Sequence, residues 1–99
     1  MTLRIIRPAS NELIKAVEYY EEQQSGLGYK FWNEVDEYLS WIKRNPLIPT
    51  LRFELYRRVN LRIFPYHIAY SVRGKEIIIW AIANSHKRPN YWKARLKKK

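Results

Sequence analysis

Near residue 53 the apolar pattern of this chain changes period, from the three-to-four spacing of a helix to the alternation of a strand. A chain patterned in this way has to lay a helical layer on a sheet, because neither pattern buries its apolar side alone. Upstream, Leu13, Ala16, Val17 and Tyr20 fall at the i, i+3, i+4, i+7 positions of one amphipathic face, with Ser10 or Asn11 placed to cap it. That helix is expected to stop by Gly26, whose missing side chain suits a left-handed terminal residue. Leu27, Phe31, Val35, Tyr38, Leu39 and Ile42 form a second stripe, ended at Asn45-Pro46 because proline restricts the residue before it. The two helices make a hairpin, with Glu12, Glu18, Glu21, Glu22, Glu34, Asp36 and Glu37 on its polar face.

Downstream, Val59, Leu61 and Ile63 alternate with Asn60, Arg62 and Phe64, and Tyr66, Ile68, Tyr70 and Val72 alternate with His67, Ala69, Ser71 and Arg73. Ile77–Ile82 is almost wholly apolar, and Arg73-Gly74-Lys75 is a hairpin turn between the last two runs. Together with Thr2–Ile6, a short β-branched run ending before Pro8, these predict an antiparallel meander with one face under the helical hairpin. After Asn84 a loop and a short final helix are expected, with the last three lysines frayed. Ninety-nine residues suit one domain over 1–99.

Composition excludes several chemistries. The chain has no cysteine, and His67 and His86 are its only histidines, so a metal centre has little to build on and no cofactor is expected. Gly26, Gly28 and Gly74 fit neither a phosphate-loop nor a dinucleotide fingerprint. A serine or cysteine nucleophile with a positioned base is not visible in the sequence. No apolar run reaches membrane-spanning length and the N-terminus has no apolar leader core, so the expected location is cytoplasmic with no membrane partner.

Charge is more informative. The net charge is +10, yet residues 1–37 hold four basic and seven acidic residues, a balance of −3, while residues 38–99 hold fifteen basic residues against Glu54 and Glu76, a balance of +13. A field this one-sided attracts an acidic macromolecule. The residues that would meet it are Arg57, Arg58, Arg62, His67, Lys87, Arg88, Tyr91, Trp92 and Arg95, in which cations can hold phosphates, aromatics can stack on bases and histidine can titrate. The same set could supply the base, acid and cations of RNA cleavage. Each also has a plainer role: arginines that guard a sheet edge, a surface histidine, and Tyr91 and Trp92 seating the last helix on the core.

The segments Ala16-Val17-Glu18-Tyr19-Tyr20-Glu21-Glu22-Gln23, Gly26-Leu27-Gly28 with Phe31, Phe64-Pro65-Tyr66-His67-Ile68-Ala69-Tyr70, Ala81-Ile82-Ala83, and His86, Arg88-Pro89, Tyr91-Trp92 and Arg95 together resemble the RelE/ParE toxins of type II toxin–antitoxin systems. The resemblance spans nearly the whole chain and the order of its elements. It implies an α+β fold with a helical hairpin on a four-stranded antiparallel sheet and a short C-terminal helix. It also implies growth inhibition, a part in plasmid stabilization, and a cognate antitoxin protein as partner. RelE-like members cleave mRNA on the ribosome, and ParE-like members inhibit DNA gyrase. Where the nuclease branch usually has an arginine in its Tyr-Arg-Leu-x-Tyr strand motif, this chain has His67, and the counterpart of another basic position is the uncharged Asn60. The Phe-Pro-Tyr opening and the Arg-Pro-x-Tyr-Trp-x-x-Arg ending look more like the ParE branch, which implies target binding through Arg57, Arg58, Lys87, Arg88, Tyr91, Trp92 and Arg95. On the nuclease alternative, catalysis would fall to His67, Arg62, Lys87 and Arg88. A basic nucleic-acid-binding module without toxicity is the third alternative.

Overall fold

Two helices and four strands follow one another in the order expected. The computed structural model describes residues 1–88 and 90–97, and comprises β1 (Thr2–Ile5), α1 (Arg7–Gln23), α2 (Leu27–Arg44), β2 (Arg57–Asn60), β3 (Tyr66–Arg73), β4 (Glu76–Asn84) and a C-terminal 3-10 turn (Lys93–Lys97). Pro89 and the expected fraying of Lys98 and Lys99 lie outside the described residues. The α+β class and the hairpin-on-sheet arrangement are as the sequence indicates.

The first helix starts earlier than Ser10 or Asn11 would start it. Its N-cap is Ile6, and Pro8 sits in the first turn, where a missing N–H costs no hydrogen bond and a fixed φ is already helical. Between the helices Gly26 takes φ +91°, and the Glu21 carboxylate accepts the N–H groups of Gly26 and Gly28, each at 3.0 Å, so one acid caps the next helix. Gly28 is the contact point of the hairpin: a Cβ there would lie 2.5 Å from the Val17 carbonyl oxygen.

The sheet order is β1-β4-β3-β2. β2–β3 and β3–β4 pair antiparallel, but β1 runs parallel to β4, from Thr2 opposite Glu76 to Ile5 opposite Ile79. The sheet is therefore mixed, not antiparallel throughout. The α1–α2 crossover and the meander return the chain to β1's side in the same direction, which only a parallel pairing accommodates.

Leu13, Phe31, Val35 and Ile42 from the hairpin pack on Ile68, Tyr70, Ile77, Ile79 and Ile82 of the sheet, all buried. Tyr20, Phe31, Phe64 and Tyr66 close one end of this core with ring centroids as near as 4.7 Å. β2 stops at Asn60, short of the alternation that ran on to Ile63. The chain turns there because Glu34, on the face of α2 expected to be solvated, is buried and accepts the Arg62 and Ile63 N–H groups at 2.9 and 3.0 Å. The far face of the sheet carries a second core of Tyr56, Ile78, Trp80, Trp92 and Leu96, so Trp92 seats the last segment on the sheet, the plainer of its two expected roles. The fold has three layers, the third made by the segment after β4.

Candidate functional site

One acid ties the third layer to the helical hairpin. Glu12, on α1, accepts Ile82 N–H at 3.0 Å, Tyr91 O–H at 2.6 Å and both Arg95 Nη groups at 3.2 and 2.9 Å. Arg95 also donates to the Trp80 carbonyl at 3.0 Å. Helix α1, strand β4 and the C-terminal segment are thus joined at a half-buried, charge-assisted node, and burial together with the adjacent carboxylate pushes the Tyr91 phenol well above its ordinary range. Periodicity placed Glu12 on a solvated face; its three partner residues lie some seventy or more positions along the chain, where no local signal reaches.

Under that segment lies His67, 5% exposed, with Nδ1 3.1 Å from Ser85 Oγ and its ring beside Trp92 at a centroid distance of 6.2 Å. Nε2 of His67 and Nε1 of Trp92 have no hydrogen-bond partner in the protein. Burial, reinforced by the Arg58 charge and opposed by Glu12, pushes the imidazole down to about 4, so it is neutral near pH 7. Of the residues expected to form the working surface, His67 and Trp92 are interior, and Tyr91 and Arg95 are committed to Glu12. Arg57 is also committed: its Nη1 donates to the Leu47 and Pro49 carbonyls at 3.2 and 2.6 Å, pinning the long loop before β2. Arg58 is half-buried beside Asn60, while Arg62, Lys87 and Arg88 are exposed.

A feature not signalled by charge lies on the loop before β2. The loop after α2 leaves Leu47, Ile48 and Phe53 exposed by 62%, 68% and 70%, and Phe53 and Glu54 hold left-handed φ of 52° and 57°. Arg52 belongs to the same loop, and Lys93 Nζ lies 4.3 Å over the Phe53 ring. Apolar tips among cations form a surface suited to a partner that is both acidic and apolar. Among the described residues no group of three or more acids and histidines could hold a metal, and no helix is long and apolar enough to cross a membrane.

A search of curated proteins finds no match. Among solved structures the chain is similar to a chain described as "Chromosomal ParDE TA system from P. aeruginosa", with a TM-score of 0.65 and 21% identity over 85% of this chain and 95% of that one. That likeness reproduces the α+β architecture of helices on a mixed sheet. The family model described as "ParE toxin of type II toxin-antitoxin system, parDE" matches residues 3–89, from the parallel strand β1 through the hairpin and the meander to the threshold of the C-terminal segment. With nearly the whole fold inside that match, this chain belongs to the ParE toxin family of type II toxin–antitoxin systems.

Proposed function

We propose that the chain inhibits growth by binding DNA gyrase, and that a cognate antitoxin protein neutralises it by covering the same basic and apolar surface. The observation that carries this reading is the position of His67. It occupies the place where the nuclease branch would have its arginine, yet it lies beneath Trp92, neutral, with Nδ1 engaged by Ser85. A base or acid must reach the proton it moves, and this imidazole is walled off from a strand of RNA. Binding needs only an accessible surface, and Lys87, Arg88 and the Leu47–Phe53 loop supply cations and apolar anchors. Stability of a plasmid carrying such a pair would follow from the toxin outlasting its antitoxin.

The test is a supercoiling assay with purified gyrase across a toxin titration, run beside translation-coupled mRNA cleavage. Supercoiling is expected to fall with dose while transcripts stay intact. Lys87→Glu with Arg88→Glu is expected to weaken inhibition about ten-fold or more, the scale of losing two charge contacts at an interface. Unchanged supercoiling by a preparation that still arrests growth would overturn the reading, and codon-biased breaks abolished by His67→Ala would replace it with the nuclease.

A further inference from the structure

A groove that shares Lys87 with the surface above opens on the hairpin side, between the outer flank of α1 and the ends of β3 and β4. Its volume is about 430 Å³, within the range of roughly 300–1,000 Å³ usual for small-ligand sites. Ala16 and Ile82 line its apolar part. Tyr19 and Tyr66 supply aromatic walls, with Tyr20 between them at centroid distances of 5.2 and 6.2 Å. Lys15, His86 and Lys87 converge on it from α1 and from the turn after β4. Lys87 Nζ stands 5.8 Å from the ring of Tyr91, which lines the same groove. Glu12 also borders the groove, but its carboxylate is consumed by Tyr91, Arg95 and the Ile82 N–H, so it opposes an incoming anion only weakly.

Flat aromatic walls beside two lysines and a histidine match a flat heterocycle carrying a phosphate: rings stack on any base, and the cations take the phosphate oxygens. A purely apolar ligand would leave the cations unanswered, and a bare phosphate would leave the rings unused. We propose that this groove binds a nucleoside 5′-monophosphate, free or as the phosphorylated end of a strand. Since Tyr91 belongs both to the groove and to the Glu12 node, an occupant would bear on the segment that seals the far face of the sheet.

The test is calorimetric titration of the intact chain with adenosine 5′-monophosphate, adenosine and inorganic phosphate. The monophosphate is expected to saturate with a Kd of about 0.1–1 mM, and the two fragments to bind about ten-fold more weakly or worse. Lys15→Glu with Lys87→Glu is expected to weaken binding about ten-fold, whereas Lys30→Glu with Lys43→Glu, an equal charge change at exposed positions on α2, leaves it within about two-fold. Amide shifts at Tyr19 and His86 in the unmutated chain locate the ligand independently of any variant. Tighter binding of a 5′-phosphorylated trinucleotide would identify a strand end, and equal or weaker binding a free nucleotide. No saturation by about 10 mM, equal losses in the two double variants, or shifts confined to another face would each overturn the proposal.

Discussion

At the scale of single residues, the acids that matter are those the sequence assigned to water. Glu12 answers donors from β4 and from the C-terminal segment, and its removal leaves the Arg95 charge half-buried without a carboxylate and the Tyr91 hydroxyl without its acceptor. Glu12→Ala should therefore cost about 3–4 kcal/mol, and Glu12→Gln about half of that, read from urea unfolding midpoints. Glu34→Ala orphans the Arg62 and Ile63 N–H groups and should cost about 2 kcal/mol in the same assay. His67 makes stability depend on pH. Its folded value, about 4, lies below the ordinary 6.5, so the unfolded chain takes up the proton first as pH falls. Stability attributable to this ring is full above pH 6.5 and is lost between there and about 4. The difference between the pH profiles of the unmutated chain and His67→Gln should be on the order of 2 kcal/mol across that window, after allowing for water at the ring edge. A flat difference would place the ring in solvent. None of these roles is visible in sequence, because periodicity assigns a residue to a helix face and says nothing of which distant strand meets that face.

At the scale of elements, legibility follows the strength of the local signal. Both helices, the Gly26 break, the Gly74 turn and strands β3 and β4 were legible because long periodic runs and a left-handed glycine leave few alternatives. The start of α1 was misplaced because Pro8, read as a breaker, is also a good first-turn residue. The end of β2 was misplaced because alternation through Leu61 and Ile63 persists in a turn held by Glu34. The C-terminal segment was harder still: a basic, aromatic run looks like a working surface, yet Trp92 is wholly buried, with its ring 4.8 Å edge-on from Tyr56. Trp92→Ala should cost about 3–4 kcal/mol and raise amide exchange in β4 and Tyr56 well before it affects the hairpin. Equal exchange everywhere would mean that the third layer and the hairpin unfold as one unit.

At the scale of the molecule, the charge split of −3 against +13 carries no sign that five of the nine residues expected on the working surface are spent on the fold itself. Arg62, Lys87 and Arg88 remain outward, and the loop sets apolar tips beside Arg52 and Lys93, so affinity for a protein partner should outlast screening. A complex with its antitoxin is expected to survive about 0.5 M salt, which leaves a Debye length of only a few ångströms, and dissociation there would mean that charge alone holds it. The parallel pairing of β1 with β4 has a consequence for how the toxin comes into being. Glu76, the pairing partner of Thr2, is made only after the two helices and two strands that lie between them, so β1 and β4 cannot pair until synthesis has passed that point. Closing so long a loop is slow compared with helix formation, and the hairpin must wait with its apolar stripe uncovered. A growing chain therefore passes through a sticky adolescence, in which its sheet is unfinished and the apolar stripe of the hairpin is bare to any partner already present in the cell.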